Sequence, residues 1–235
     1  LEDVTVTVGE NLSEDGERII TARAADLMDA NFGDLSVMLI ENPAAVNPFE
    51  RIRDDHFIRG KTPMTKEPIR TLSVSALEIN PSDTVADIGA GTGAVSIEMA
   101  RRAHRGTVYA IEREANAVAL IRKNIKKFGA HNIVVIEGSA PESLEALPPV
   151  QKAFIGGSGG NLSGIVASLL AKNKVVKIAV NAITPETLKE AIEVFENNGI
   201  EAEIGCINAS RAEKIGGYHL MKADTPIYII SGSVK

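Results

Sequence analysis

The residues with the clearest chemical potential are Asp87-Ile-Gly-Ala-Gly-Thr-Gly93, set between an apolar run and a helix-like segment opening at Ala94. Gly89, Gly91 and Gly93 allow positive φ and bring backbone close to a ligand with no Cβ in the way. Ala90 and Thr92 complete the loop. A helix beginning at Ala94 directs free N–H groups toward whatever occupies that loop. Glu112 ends the next apolar run, 25 positions after Asp87. A carboxylate there can accept hydrogen bonds from both hydroxyls of a ribose. Together these features are suited to binding a nucleoside cofactor. Each residue also has a plainer role: Asp87 can cap or pack the loop, and Glu112 can be a solvated strand end. Gly89, Gly91 and Ala94 also satisfy the dinucleotide pattern G-x-G-x-x-A, so the loop alone leaves NAD open.

Two more loops follow apolar runs farther along. In Glu137-Gly-Ser-Ala-Pro141, Ser139 and Ala140 are placed to cover a nucleobase with backbone, a hydroxyl and a methyl group. Gly156, Gly157, Ser158, Gly159 and Gly160 suit close backbone approach to a large substrate, or form a flexible loop with no ligand. The Asn/Asp-Pro-Pro-aromatic motif with which many amino-group methyltransferases grip a target nitrogen does not occur here. Methylation of a base or amide nitrogen is therefore disfavoured.

The elements that must carry these loops are an alternation of strands and helices. TVADI at 84–88, TVYAIE at 107–112, NIVVIE at 132–137, KAFI at 152–155 and VVKIAV at 175–180 are nearly continuous apolar runs, as in parallel strands covered on both faces. Between them lie helical stripes: Val118, Ile121, Ile125 and Phe128; Leu162, Ile165, Val166, Leu169 and Leu170; Leu188, Ala191, Ile192 and Phe195. Gly129 and Gly199 stand where helix C-terminal caps are expected. The ending departs from this rhythm. Runs at 201–210 and 225–232 have only a polar, Gly-containing stretch between them, so they must pair antiparallel. The expected fold class is α/β, a Rossmann-like doubly wound sheet of the class I methyltransferase layout. It is mostly parallel, with an antiparallel hairpin at its C-terminal edge. That ending, the acidic residue two positions before the first glycine and the third glycine at 93 favour S-adenosyl-L-methionine over NAD.

The 235 residues carry a net charge of −6, which disfavours the basic surface that non-specific nucleic-acid binding requires. The single cysteine, Cys206, excludes an intrachain disulfide and a multi-cysteine metal site, and points to a reducing cytoplasm. No apolar run has the roughly 18–20 residues needed to cross a bilayer, and residues 1–10 lack the basic start of a secretory signal. Residues 1–42 form a separate region, expected as strands at 4–8 and 35–40 around a helix near Ala22 to Ala30. The stretch 41–50, ENPAAVNPFE, carries two prolines and two asparagines, so residues 43–53 are expected as a linker and 54–235 as the catalytic domain. Leu1 is not an initiator methionine, so the chain is expected to be processed or cut from a longer one.

Several segments together resemble one family: Asp54-Asp-His-Phe-Ile-Arg59, Pro63-Met-Thr-Lys66 running to Arg70, the Asp87–Gly93 loop, and Phe154-Ile-Gly-Gly-Ser-Gly-Gly160. They are similar to the decarboxylating precorrin C15-methyltransferases of cobalamin biosynthesis, over about residues 54 to 232. Val8-Gly-Glu-Asn-Leu12 with Glu17-Arg-Ile19 resembles the C-terminal end of the tetrapyrrole methylase family, whose precorrin C5-methyltransferases are fused ahead of the C15 enzyme in bifunctional versions. The resemblance implies methylation of a precorrin at C15 with decarboxylation of the C12 acetate. S-adenosylmethionine is the implied donor, no metal is needed, and the implied assembly is a homotetramer. It also implies that Thr65 reaches the cofactor, that 89–93 cradle its amino-acid end and ribose, that Glu112 holds the ribose hydroxyls and that Ala140 lies by the adenine. Ser139 stands where such enzymes often have Asp. Thr65 is equally suited to be the N-cap of the following helix. A substrate bearing many carboxylates makes Arg59, Lys66 and Arg211 candidates to position it, with Lys61 and Lys214, each also readable as a surface charge. Tyr218 could stack on the macrocycle or pack under its loop. His56 and His219 are possible proton donors or structural residues, and no catalytic triad is apparent. Another class I methyltransferase, acting on a different small molecule or on RNA, and a dehydrogenase remain as alternative readings.

Overall fold

Val4, Val6 and Val8 alternate along the first strand and point to one face, burying against Ala24, Leu27 and Phe32. This strand, β1 (Thr5–Glu10), is the centre of a three-stranded antiparallel sheet, flanked by β2 (Arg18–Arg23) and β3 (Ser36–Glu41). The helix expected near Ala22 to Ala30 does not form. Arg18–Arg23 instead pairs with β1, and only one 3-10 turn, Ala24–Leu27, follows. Ile19-Ile20-Thr21, three β-branched residues that fit a pleated strand, set the chain extended ahead of that stretch, and Ala22 and Arg23 continue the strand. Every residue of β3 is exposed.

The computed structural model describes residues 4–41 and 50–234 and divides the chain into two units, Leu1–Asn47 and Pro48–Lys235. Most of the linker expected over 43–53 lies outside the described residues. No helix among the described residues is long and apolar enough to cross a membrane.

The second unit begins its regular structure at α1 (Glu67–Ala76) and then alternates: β4 (Thr84–Ile88), α2 (Ala94–Arg102), β5 (Thr107–Glu112), α3 (Ala115–Phe128) and β6 (Ile133–Glu137). After β6 come β7 (Lys152–Ile155), α4 (Leu162–Lys172), β8 (Lys177–Ala182), α5 (Pro185–Asn197) and β9 (Ile200–Ile207). Three strands close the chain: β10 (Ser210–Ile215), β11 (Tyr218–Ala223) and β12 (Ile227–Val234). The seven-stranded sheet has the order β6-β5-β4-β7-β8-β12-β9. Alternate residues of its strands feed two cores. Ala86, Ile88, Ile155 and Val180 pack with Ile165 and Leu169 of α4 and Phe195 of α5. Val85, Val108, Phe154 and Ala179 pack with Val74 of α1, Met99 of α2 and Ile121 of α3.

The antiparallel ending has more structure than a single edge hairpin. β12 inserts between β8 and β9 and runs antiparallel to both, so the edge strand β9 keeps the direction of β8. The polar, Gly-containing residues 211–223 belong to a second antiparallel ladder, β10 with β11, closed by Gly216 at φ +61°. Its sequence, Ser-Arg-Ala-Glu-Lys-Ile then Tyr-His-Leu-Met-Lys-Ala, lacks a continuous apolar run because all twelve residues are exposed. A strand covered on neither face carries no burial signal in its pattern.

Candidate functional site

β4 is flanked in parallel by β5 on one side and β7 on the other, so the chain reverses its direction of sheet growth there. Crevices of open α/β sheets form outside the carboxyl ends of the strands at such a point. Here the loops after β4, β5, β6 and β7, together with the segment before α1, enclose a cavity of about 900 Å³.

The glycine loop is shaped by its hydrogen bonds. Gly89 and Ala90 N–H both donate to Ile111 O, at 3.0 and 3.1 Å, fastening the loop to the end of β5. Gly156 N–H donates to Ile88 O at 2.9 Å, drawing in the second glycine loop. A Cβ on Gly89 (φ +73°) would lie 2.9 Å from Gly157 N, so these two loops touch backbone to backbone. A Cβ on Gly91 (φ +57°) would lie 3.3 Å from Pro63 O. Glu112 stands at the base of the crevice. Its Oε2 accepts from Gly91 N–H at 2.8 Å and its Oε1 from Glu114 N–H at 2.9 Å. A carboxylate has about four lone-pair sites, so one on each oxygen is left for a pair of ligand hydroxyls.

Asp87 is fully buried on the crevice wall. Its Oδ2 accepts a short hydrogen bond from the Ser96 hydroxyl on α2, and its Oδ1 has no partner among the described residues. Burial pushes its pKa up to about 7, against the opposing pull of the Ser96 bonds. An unpartnered buried carboxylate oxygen costs free energy unless something cationic or protic meets it. A ligand that brings hydroxyls to Glu112 and a cation near Asp87 fits this donor set.

The segment before α1 is held in place by two buried polar side chains. Arg70, wholly inaccessible within α1, donates to Asp54 Oδ1 at 3.0 Å, Thr65 O at 2.9 Å and Ile52 O at 2.6 Å, and stacks on Phe57 at 4.8 Å. Asn124 of α3 exchanges two hydrogen bonds with the backbone of Ile58 and donates a third to Thr92 O at 2.9 Å, joining this segment to the glycine loop. The helix cap also comes from this network. Lys66, not Thr65, is the N-cap residue and its side chain makes no cap bond; Asp54 Oδ1 accepts the first helical N–H, from Glu67, at 2.9 Å. Burial raises the Asp54 carboxyl, but Arg70 and Arg211 more than offset this and hold it below the usual range.

Of the sequence candidates, Thr65, Asp87, Gly89, Ala90, Gly91, Thr92, Glu112, Ser139 and Ala140 all line the crevice, as do Gly156, Gly157, Ser158 and Gly159. Gly93 and Gly160 do not. Gly93 (φ +77°) is the N-cap of α2 and lies against Ile121, where its missing Cβ leaves room for α3. Arg59 and Arg211 line a neighbouring cleft of about 600 Å³, and Lys66 lines both cavities. Tyr218, His219 and His56 line neither; Tyr218 is 81% exposed at the tip of the β10–β11 hairpin, so it packs under nothing. Sequence reasoning missed Arg70 and Asn124 as organisers of the site, and Asn181 of β8, which lines the crevice and lies 2.9 Å from the Ser73 hydroxyl.

Comparison with known proteins bears on this crevice. A protein of Methanocaldococcus jannaschii named a probable cobalt-precorrin-6B C(15)-methyltransferase (decarboxylating) is 37% identical over 180 residues, covering 76% of this chain and 96% of its own. A solved structure described as precorrin-6y C5,15-methyltransferase from Geobacter metallireducens has 36% identity and a TM-score of 0.74, covering 77% of this chain and 97% of that one. A second, described as precorrin 8w decarboxylase from Methanobacterium thermoautotrophicum, has 33% identity and a TM-score of 0.73, covering 78% and 100%. The sheet therefore has the class I methyltransferase fold. The precorrin methyltransferase domain family matches residues 55–233, the same stretch that builds the crevice and both of its walls, and the chain belongs to that family.

Proposed function

We propose that this chain methylates a precorrin at C15, using S-adenosylmethionine, and removes the C12 acetate carboxyl as CO₂. The observation that carries the reading is the crevice itself. In a chain of the precorrin methyltransferase family, a buried glutamate with two spare lone pairs faces a glycine cradle at the switch point of the sheet. When bound, S-adenosylmethionine supplies a methyl group already activated on sulfonium, so the protein's contribution is placement rather than activation.

The roles of the chain's own residues follow from their chemistry. Glu112 accepts the ribose hydroxyls. The 89–93 loop admits the cofactor's amino-acid end to the backbone, with Asp87 as the anion of that wall. Thr65 closes the crevice from the segment before α1, and Ser139 and Ala140 cover the adenine. Gly156 to Gly159 leave the macrocycle face unobstructed. Phe154, Ile183 and Ile227 give the crevice an apolar side that excludes water from the reacting centre. Arg59, Lys66 and Arg211 supply positive charge for the substrate's carboxylates. Decarboxylation breaks the bond to the carboxyl carbon and releases CO₂, the electron pair passes into the conjugated macrocycle, which needs no side chain as sink, and a proton taken up at the former acetate carbon leaves a methyl group at C12.

Two accompanying readings belong to the same proposal. Residues 1–42 derive from the C-terminal part of a tetrapyrrole methylase domain, supported by the Val8–Leu12 and Glu17–Ile19 strings. The assembly is a homotetramer, a reading that rests on the family resemblance; the exposed Ile215, Leu220 and Met221 of the β10–β11 hairpin are apolar surface that association would cover. Light scattering tests the second.

Mass spectrometry after incubation with precorrin and S-adenosylmethionine tests the activity. Gain of one methyl with loss of CO₂ is expected. Methyl transfer with the carboxyl retained refutes the decarboxylating half, and no transfer to the macrocycle refutes the whole.

A further inference from the structure

Beside the cofactor crevice lies the second cleft, walled by the segment at 51–59, the start of α1 and the base of the β10–β11 hairpin. Five cationic side chains line it against three carboxylates, in a chain whose overall charge is −6. Such a local reversal of sign attracts anions from solution and orients them.

The ion pairing within the cleft decides which cations are available. Each acid is taken: Asp54 by Arg70 and Arg211, at 3.0 Å each, Asp55 by Arg53 at 3.4 Å, and Glu67 by Arg51. Arg59 and Lys66 have no side-chain partner among the described residues, although both line the cleft. Arg211 is different in kind: Asp54, anchored from below by the buried Arg70, holds its guanidinium at the cleft wall. The cleft thus has one preset guanidinium and two uncommitted cations. An arginine fork matches a carboxylate in a planar, two-point contact, whereas the lysine acts as a point charge.

We infer that this cleft is a polycarboxylate-docking subsite, in which Arg59 and Lys66 bind peripheral carboxylates of a large substrate outside the cofactor crevice. The inference rests on the proposed function, which supplies a substrate of that chemistry, and adds a site that grips the periphery of the macrocycle independently of the cofactor. Lys66 lines both cavities, so a carboxylate held there lies at the junction of docking subsite and reaction site. The subsite sets substrate orientation and affinity and takes no part in methyl transfer itself.

The test uses the full chain and uroporphyrin, an octacarboxylic porphyrin, with its uncharged octaamide as control. Wild-type protein is expected to bind the octacarboxylate with an affinity that falls steeply with salt, and to bind the octaamide at least tenfold more weakly, roughly the loss of two or three exposed charge contacts. Arg59→Gln, which lies outside the crevice lining and breaks no ion pair among the described residues, is expected to weaken octacarboxylate binding about fivefold and to flatten its salt dependence, with S-adenosylhomocysteine affinity unchanged. Equal binding by variant and wild type overturns the inference, as does wild-type binding that ignores the carboxylates. Failure of wild-type protein to bind S-adenosylhomocysteine strikes the methyltransferase reading instead, and the porphyrin result is read separately from it.

Discussion

Asp54 Oδ1 and Arg70 Nη1 lie 3.0 Å apart with the arginine wholly buried, and around this pair the segment carrying Thr65 is folded. The guanidinium ties Asp54, Ile52 O and Thr65 O to one helix, so three points of an otherwise irregular segment are fixed by one side chain. Removing Arg70 leaves Asp54 paired with Arg211 alone and strips Ile52 O and Thr65 O of their donor, and breaking a buried network of this kind costs about 3–5 kcal/mol. Arg70→Met, similar in length and apolar, is expected to lower unfolding free energy by that order in denaturant titration. Cofactor affinity should fall with it, because Thr65 loses its anchor. Unchanged stability in Arg70→Met removes the pair from this role.

The same pair has a sign in pH. The folded pKa of Asp54 lies below its ordinary value near 3.8, so its stabilisation is complete above that value and is lost as pH falls through the folded pKa. Acid titration followed by far-UV circular dichroism is expected to show a loss of stability below about pH 4 that is smaller in Asp54→Asn. A variant whose acid limb matches that of wild type contradicts the assignment.

Asp87 works in the opposite direction. Its pKa is raised to about 7 from 3.8, so the folded protein keeps this proton while the unfolded chain releases it, and the stability it contributes is fully present below the lower value and is lost as pH rises toward the upper one. Asp87→Asn keeps a partner for Ser96 and removes the buried charge. Relative to this variant, wild type is expected to lose about 2 kcal/mol of stability between pH 5 and pH 7, then run parallel to it above. A stability difference that stays constant across that range shows that Asp87 does not titrate there. S-adenosylhomocysteine affinity is expected to drop in Asp87→Asn even though the protein is more stable at pH 8.

Asp54 and Asp87 differ because of partners far away in sequence, whereas the strands beside them carry their own bounds. β4, β5 and β7 begin and end where their apolar runs do, because strands buried on both faces leave no other residues to choose. The crevice followed, since the glycines and Glu112 sit at the ends of those strands. The β10–β11 hairpin was illegible for the converse reason, having no buried face to impose a period. Arg70 and Asn124 hid in plain pattern: a charged and a polar residue on helices whose neighbours, Ile69 and Ile121, are core. Which buried polar residue finds partners depends on a distant loop, here 50–66, and no local periodicity encodes that. Near Ala22 the strand begun by the β-branched Ile19-Ile20-Thr21 runs on to Arg23, where a helix was expected.

Glu112 is the residue on which cofactor recognition turns. Replacing it by Gln keeps the shape but leaves one oxygen to do the work of two, with the Gly91 and Glu114 N–H groups competing for it. Hydrogen bonds to a charged group contribute about 1.5–3 kcal/mol, so Glu112→Gln is expected to weaken S-adenosylhomocysteine binding about 10- to 100-fold by calorimetry. A fall in melting temperature with affinity intact assigns Glu112 to loop structure alone.

Gly91 and Gly93 separate binding from folding. Both have positive φ, so any side chain adds backbone strain of about 1–2 kcal/mol at either position. They differ in what a side chain meets. At Gly91 the new atoms grow toward Pro63 O and Thr62, across the space between the glycine loop and the segment before α1. At Gly93 they grow into Ile121, away from the crevice and into the packing of α2 on α3. Gly91→Val is therefore expected to abolish S-adenosylhomocysteine binding while the protein still unfolds cooperatively. Gly93→Ala is expected to lose more stability than Gly91→Ala and less affinity, since overpacking a helix contact costs about 1–3 kcal/mol beyond the strain. Parallel calorimetry and denaturant titration on the two alanine variants decide the matter. If Gly93→Ala loses affinity as fully as Gly91→Val, the third glycine belongs to the cofactor wall after all and the role of Ile121 is secondary.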